Sequence, residues 1–206
     1  MQSDPLQSTQ AHVAVQGYPE FKAAVRMRES GGNYQAVNSL GFLGAYQLGE
    51  MALTDLGYYP GDATHPSTTN WTNDWQTLHW SEKSPSPDLP GVANKAIFLG
   101  NPAVQDRIFD EWFDYLLNRQ LIGKHALNTF LGGFRTIDYK GQQKLIEITP
   151  TGMFMGAHLR GEYGLANYLK DGIVSVDEFG TPITDYLFEF ERFNSPWGGP
   201  KWMLAR

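Results

Sequence analysis

The sequence predicts a mainly α-helical protein of the α+β class, with one small β-hairpin. Three observations lead to this prediction. Apolar residues recur at helical spacing over long stretches, for example at Val104, Ile108 and Trp112. Glycine and proline stand where such stretches would end or begin. One stretch of β-favouring residues surrounds a Lys140-Gly141 turn, which is the pattern of a hairpin.

The N-terminal region predicts a flexible arm followed by a single domain. Residues 1–17 are polar and end at a glycine, so we expect an arm there and one domain over 18–206. A chain of 206 residues is long enough for one sizeable core, and the absence of cysteine excludes disulfides and cysteine nucleophiles.

The first helix is predicted to begin near Pro19 and to stop at Gly31-Gly32. Within it, Phe21, Val25 and Glu29 follow one another at intervals of four and therefore share a face. A carboxylate thus continues an apolar stripe in the last turn of this helix.

A second helix is predicted over residues 44–56, because Ala45, Leu48, Ala52 and Leu56 repeat at helical spacing before a glycine. The segment from residue 58 to residue 100 is rich in Pro, Ser, Thr and Asn and has no sustained hydrophobic periodicity. It predicts an insertion that is anchored by tryptophans, at Trp71, Trp75 and Trp80.

The C-terminal half predicts further helices around the hairpin. A proline follows a capping asparagine at Asn101-Pro102, and the helix that starts there is strongly amphipathic. The predicted elements after it are a short helix over 125–131, the hairpin over 136–149, a helix after Pro150 that contains GMFMGAHLRG, a helix EYGLANYLKD that stops at Gly172, and a final helix TDYLFEFERF.

Charge and hydropathy exclude several classes of partner. The net charge of −6 and the absence of a basic block argue against nucleic acid, whose phosphates require clustered Lys and Arg. No segment approaches the length of a membrane span, and the polar N-terminus lacks the apolar core of a signal peptide. Another route of delivery is therefore expected if the substrate lies outside the cytoplasm.

Glu29 is the leading candidate for acid/base chemistry. Partial burial disfavours its charged form, and so does the negative end of the helix dipole. A raised pKa suits a group that must protonate a glycosidic oxygen near neutral pH. The alternative is a helix-end glutamate that turns into water or pairs with Arg26 or Arg28.

The text around Glu29, RESGGNYQAVNSLGFLGAYQLGEMAL, resembles the signature of lytic transglycosylases and goose-type lysozymes. In that family a helix ends in Glu-Ser-Gly-Gly, and a Gly-x-x-Gln segment opens the next helix. The first part is matched by Glu29 and Ser30, and the second by Gly44, Tyr46 and Gln47 in GAYQ. The resemblance implies a lysozyme-like fold with cleavage of glycan strands.

Roles carried over from the family fall on the same positions. The resemblance implies that Glu29 is the catalytic acid and then the base, and that Ser30 supports it. Gln47 would bind the sugar beside the cleavage point, with Tyr46 next to it in the binding segment. Gly44 would let the backbone approach the glycan closely.

A third family motif is matched in part. Many relatives have Ala-Tyr-Asn-Ala-Gly, whereas this chain has Ala157, His158, Leu159, Arg160 and Gly161. His158 replaces the tyrosine, as in a branch of phage-virion and secretion-associated wall-degrading proteins. We expect His158 to line the cleft of Glu29 as a substrate-binding residue, with a satisfied core histidine as the alternative.

Neither a metal nor a cofactor is predicted. The histidines show no ligand spacing, and the acidic spacing of Asp171, Asp177 and Asp185 does not fit a calcium loop. Phosphate-cradling glycine loops and nucleophile elbows are also absent from the sequence.

The predicted function is that of a muramidase of the lytic transglycosylase type, which cuts between N-acetylmuramic acid and N-acetylglucosamine. Peptidoglycan glycan strands are the expected partner, in the periplasm or cell wall. Delivery machinery of a secretion system or a phage and an immunity protein are further expected partners. The alternatives are a hydrolytic lysozyme or chitinase on this scaffold, and a catalytically idle wall-binding module.

Overall fold

The computed structural model describes residues 16–61 and 73–196. Six α-helices and one two-stranded antiparallel sheet form this part of the chain, which confirms the mainly α class and the small hairpin. In chain order the elements are α1 (Tyr18–Ser30), α2 (Glu50–Asp55), α3 (Lys95–Leu99), α4 (Pro102–Asp114), a π-helix (Tyr115–Lys124), a 3-10 helix (Leu127–Phe130), β1 (Phe134–Tyr139), β2 (Gln142–Glu147), α5 (Pro150–Asp171) and α6 (Ile183–Phe190).

Helix α1 forms as its sequence predicts. It has a proline in its first turn, and Gly31 ends it in the left-handed conformation, with φ of 64°, that glycine adopts without steric cost. Phe21 and Val25 are fully buried and pack into one core with the aromatic residues of α4, α5 and α6. The predicted arm lies outside the described residues up to residue 15. Gln16, near its end, exchanges backbone hydrogen bonds with Arg192 and Asn194.

The predicted helix over 44–56 is wrong in its first half, because α2 begins only at Glu50. Residues 41–48 form turns and short backbone bridges, in which Gly44 has φ of 74° and Gln47 has φ of 48°. Ala45 and Leu48 are nevertheless buried. Their helical spacing is misleading because a looped segment can also place apolar residues in the core.

The 58–100 insertion is anchored as predicted at two of its tryptophans. Trp75 and Trp80 are buried and stack at 5.3 Å between ring centroids, and Tyr59 meets both edge-on. The backbone N–H of Trp75 donates a hydrogen bond to the buried Glu50 carboxylate. Trp71 lies outside the described residues.

Helix α4 ends earlier as an α-helix than the amphipathic stretch PAVQDRIFDEWFDYLLNRQL predicts. Asn101 caps α4 by accepting a hydrogen bond from Val104 N–H at 3.2 Å. The helix continues beyond Asp114 as a π-helix, and a single 3-10 turn replaces the predicted short helix over 125–131. Phe113 of α4 packs on Phe154 of α5 at 4.5 Å between ring centroids.

The C-terminal elements form a layer against this core. Strands β1 and β2 pair from Phe134–Glu147 to Tyr139–Gln142 and turn at Lys140-Gly141, so the predicted hairpin is confirmed. The two helices predicted around Gly161 are also confirmed, because φ of 71° and ψ of 168° at this residue break α5 into two segments. Among the described helices none is both long and apolar enough to cross a membrane.

Candidate functional site

Glu29 lies in the last turn of α1 with its carboxyl directed inward. Its Oε1 atom is buried and has no hydrogen-bond partner among the described residues. Neither arginine of the alternative interpretation forms an ion pair with it. Arg26 Nη1 lies 3.4 Å from Asp106 Oδ1, and Arg28 Nε lies 3.0 Å from Glu189 Oε2. The Glu29 carboxyl is therefore desolvated, and one of its oxygens makes no hydrogen bond to the described residues.

The surroundings of Glu29 favour its protonated form. Burial raises the pKa of the Glu29 carboxyl above its ordinary value, and the charge of Asp177 raises it further. His158, the Tyr186 hydroxyl and the Arg28 guanidinium act in the opposite direction, in this order of size, because each of them favours the carboxylate. The net effect of these groups is to raise the pKa of Glu29, as its position on an apolar stripe predicts.

Tyr186 is a site residue that sequence reasoning missed. It lies on α6, is 4 % exposed, and its hydroxyl is close enough to Glu29 to act on the carboxyl as a hydrogen-bond donor. Burial and the nearby Glu29 carboxylate raise the pKa of Tyr186, which keeps this hydroxyl protonated. The Arg28 guanidinium lies 4.8 Å from the ring centre and holds the ring from the other side.

The Arg28 side chain is fixed by the hairpin as well as by α6. Glu189 accepts a hydrogen bond from Arg28 through one carboxylate oxygen and from the Tyr139 hydroxyl, at 3.1 Å, through the other. Strand β1 is therefore linked through Glu189 and Arg28 to the end of the helix that carries Glu29.

His158 lies beside Glu29, on the first segment of α5, and both of its ring nitrogens are hydrogen-bonded. Trp112 Nε1–H donates to its Nδ1 at 3.2 Å, and its Nε2 lies 3.1 Å from the Tyr46 carbonyl oxygen. An indole N–H can only donate, so Nδ1 is the acceptor and Nε2 carries the proton. His158 is also the neighbour that lowers the pKa of the Glu29 carboxyl most strongly.

Ser30 connects the end of α1 to the 44–47 segment. Its hydroxyl lies 2.9 Å from the Ala45 carbonyl oxygen and 3.2 Å from the Arg26 carbonyl oxygen. The residue next to Glu29 thus fixes the helix end against the loop, and the role of Ser30 in supporting the Glu29 side chain stays a prediction.

Gly44 is required by a protein contact. A Cβ atom at this position would lie 2.0 Å from Gln105 Oε1, and the positive φ disfavours any other residue. The Gln105 carboxamide is fully buried, and its Oε1 accepts from Ala45 N–H at 2.9 Å. Its Nε2 donates to the carbonyls of Tyr34 and Phe98 at 2.8 and 2.9 Å. Gln105 is therefore the group that shapes this loop.

Tyr46 has its ring in the core. The side chain is 1 % exposed and stacks on Phe109 at 4.0 Å between ring centroids. Its hydroxyl donates to Asp106 Oδ1 at 2.6 Å and accepts from Arg26 Nη1 at 2.8 Å. In this structure the Tyr46 side chain packs the loop, and only its carbonyl oxygen meets a site residue, His158.

Gln47 is also largely buried. Its side-chain Nε2 donates a hydrogen bond to the Gly44 carbonyl at 2.8 Å, and its backbone adopts a positive φ. The amide thereby closes the loop on itself, and its contact with a sugar stays a prediction.

The structure thus brings Glu29 together with His158, Tyr186 and Asp177 within electrostatic range. Gly44, Tyr46 and Gln47 belong to the loop that Ser30 ties to the end of α1, and this loop meets the group through the contact of the Tyr46 carbonyl with His158. Among the described residues no cluster of three acidic or histidine side chains is arranged to hold a metal ion.

Comparisons with protein-family models, with curated proteins and with solved structures find no match. The resemblance to lytic transglycosylases and goose-type lysozymes therefore rests on the text around Glu29 and remains a prediction.

Proposed function

We propose that this chain cleaves peptidoglycan glycan strands as a lytic transglycosylase, with Glu29 as its general acid and base. The observation that carries the proposal is the state of the Glu29 carboxyl. One oxygen is buried without a partner among the described residues, and burial raises its pKa. A neutral carboxylic acid with a free oxygen is what protonation of a leaving group requires.

The proposed reaction uses a single carboxyl group twice. The protonated Glu29 donates its proton to the glycosidic oxygen as the bond from that oxygen to the muramyl C1 breaks. The resulting carboxylate then takes the proton of the muramyl C6 hydroxyl, whose oxygen attacks C1 and closes a 1,6-anhydro ring. Glu29 ends protonated, ready for the next turnover, and no water is consumed.

Two neighbours fit this sequence of charge states. The Tyr186 hydroxyl stabilises the carboxylate between the two proton transfers, because a hydrogen bond to a charged group is stronger than one to a neutral group. His158 is held by hydrogen bonds at both ring nitrogens and, like the Tyr186 hydroxyl, favours the carboxylate that forms between the two proton transfers.

A second candidate is hydrolysis of the same bond, as in a lysozyme or chitinase. Hydrolytic enzymes generally use two carboxylates, the second as base or nucleophile. Asp177 is the observation that favours this candidate, because its charge acts on Glu29. Its Oδ1 atom already accepts hydrogen bonds from Phe179 N–H and Thr181 N–H at 2.9 and 2.6 Å. This loop role makes hydrolysis the weaker candidate.

Mass spectrometry of the products from purified peptidoglycan tests the proposal. Anhydro-muropeptides from the wild type and none from Glu29→Gln support the lyase. Products with ordinary reducing ends identify the hydrolase. An unchanged wall with both proteins would reject catalysis and leave the idle wall-binding module.

A further inference from the structure

A large apolar side chain stands exposed on a tight turn beside the candidate site. Phe179 is 69 % exposed, and it lies in the segment that connects α5 with α6. Val176, on the same segment, is 50 % exposed. Single exposed apolar residues are common on proteins. Phe179 is of interest because hydrogen bonds fix the turn that carries it and because this turn lies near Glu29.

The turn that carries Phe179 is fixed by four hydrogen bonds within five residues. Asp177 Oδ1 accepts from Phe179 N–H and Thr181 N–H. Asp177 N–H donates to the Thr181 carbonyl at 3.0 Å, and Gly180 N–H donates to the Asp177 carbonyl at 3.1 Å. The ring is therefore presented on a preorganised backbone, and a ligand that binds it does not have to order the turn.

The same turn is placed next to Glu29 in two independent ways. Ile183 N–H donates to the Ser175 carbonyl at 2.9 Å, which sets the turn on the first residue of α6. Tyr186 lies one helical turn further along, and the guanidinium of Arg28, the neighbour of Glu29 in the chain, lies 4.8 Å from the centre of its ring. The Asp177 charge also acts on Glu29 directly. The turn that carries Phe179 thus lies near the residues that surround Glu29.

We propose that Phe179 is a platform for one N-acetylhexosamine ring of a glycan that enters the Glu29 site. This assignment rests on the proposed function for the position of the cleaved bond. A pyranose presents an apolar face of C–H groups, and its acetamide carries a methyl group. A flat aromatic ring on a fixed turn is complementary to both. The acidic groups around the turn, Asp177 and Glu178, do not oppose an uncharged sugar as they would an anionic ligand.

Binding of the N-acetylglucosamine hexamer to purified full-length protein tests the platform without cleavage of peptidoglycan. Calorimetry would compare wild type, Phe179→Ala and Phe179→Tyr, with Phe134→Ala as a matched control. Phe134 is 59 % exposed and lies on β1 five residues from Tyr139, or about 17 Å along the strand. We expect Phe179→Ala to weaken binding about 3- to 10-fold, whereas Phe179→Tyr and Phe134→Ala bind as wild type.

Kinetics on peptidoglycan provide the second readout. Phe179→Ala should raise KM by the same factor and leave kcat near the wild-type value, because the platform binds ground state and transition state alike. Wild-type binding and KM in Phe179→Ala would overturn the platform while the cleavage proposal stands. Loss of hexamer binding in Phe179→Ala, combined with a wild type that cleaves nothing, would keep the platform and reject the enzyme. A wild type that neither binds the hexamer nor cleaves the wall overturns both.

Discussion

Trp112 Nε1 donates a hydrogen bond to His158 Nδ1 across 3.2 Å, and this contact determines which nitrogen of the imidazole carries the proton. The second nitrogen, Nε2, meets the Tyr46 carbonyl oxygen at 3.1 Å and donates to it. The ring is thus hydrogen-bonded through both nitrogens, although it lies beside Glu29. His158 is therefore the satisfied histidine that the sequence offers as one alternative, and its role in binding a substrate stays a prediction.

The tautomer can be observed by NMR. We expect the ¹⁵N spectrum of wild type near neutral pH to show an unprotonated Nδ1 and a protonated Nε2 for His158. Trp112→Phe removes the only donor to Nδ1 among the described contacts, so the tautomers should mix in this variant. A protonated Nδ1 in the wild type would contradict the assignment.

Glu29→Gln should abolish wall cleavage while the protein stays folded. General acid/base groups typically contribute about 10²–10⁴-fold, and a carboxyl that acts in both steps belongs at the upper end, so we expect a loss of at least about 10³-fold. Turbidity loss and muropeptide release measure it. Glu20→Gln, at an exposed glutamate in the first turn of the same helix, is the control and should retain full activity.

The same substitution should change stability with a definite pH dependence. Because the pKa of Glu29 is raised by folding, the folded protein binds this proton more tightly than the unfolded chain. The stability that Glu29 provides is therefore present at low pH and is lost as pH rises above its ordinary pKa of 4.5. Glu29→Gln should be more stable than wild type near pH 7, and the difference should shrink towards pH 4. Thermal melts of both proteins between pH 4 and pH 7 measure this difference in stability. A stabilisation of Glu29→Gln that occurs only at acid pH would contradict the prediction.

Tyr186→Phe should move the pH profile of cleavage. The Tyr186 hydroxyl lowers the pKa of Glu29, so its removal raises that pKa and shifts the alkaline limb of the profile to higher pH. The maximal rate should fall about 10-fold, because the carboxylate loses a hydrogen bond. The aromatic ring under Arg28 is retained. Tyr168→Phe, on α5, is the control, and an unshifted profile for Tyr186→Phe would remove its hydroxyl from the site.

Gly44→Ala should destabilise the protein through Gln105. The strain of a left-handed alanine costs about 1–2 kcal/mol, and displacement of the Gln105 carboxamide adds a packing cost of about 1–3 kcal/mol. Gly57→Ala isolates the first contribution, because Gly57 has φ of 76° and a Cβ added there would meet nothing within 4 Å. Urea unfolding of the two variants measures the difference. Equal losses would show that the Gln105 contact is unimportant.

The sequence predicts those elements of the fold that have local determinants. Helix α1 ends at a glycine, and α4 begins after a capping asparagine. The break at Gly161 separates two stretches that are each predicted to be helical. The hairpin is fixed by a two-residue turn at Lys140-Gly141. In each of these cases the energy that decides the conformation comes from residues within a few positions.

The parts that sequence reasoning missed depend on distant contacts. The spacing of Ala45 and Leu48 satisfies a helical pattern, but the Gly44 and Gln47 backbones turn the segment into a loop around Gln105. Tyr186 belongs to an amphipathic helix, in which a tyrosine on the apolar face is expected to be a core residue. Only the tertiary packing of α6 brings its hydroxyl to Glu29. Glu29 itself can be found from the sequence because its own helix places it on the apolar face.

Gln105 also has a consequence for the order in which the protein is made. It lies 60 positions after Ala45, and its carboxamide binds the loop at Tyr34 and Ala45 from a helix that is synthesised later. A nascent chain that has emerged only as far as α3 contains Glu29, Ser30 and the whole 44–47 segment but lacks the group that gives the segment its shape. The 44–47 loop of this protein therefore takes its shape only when α4 docks, after every residue of the loop has left the ribosome.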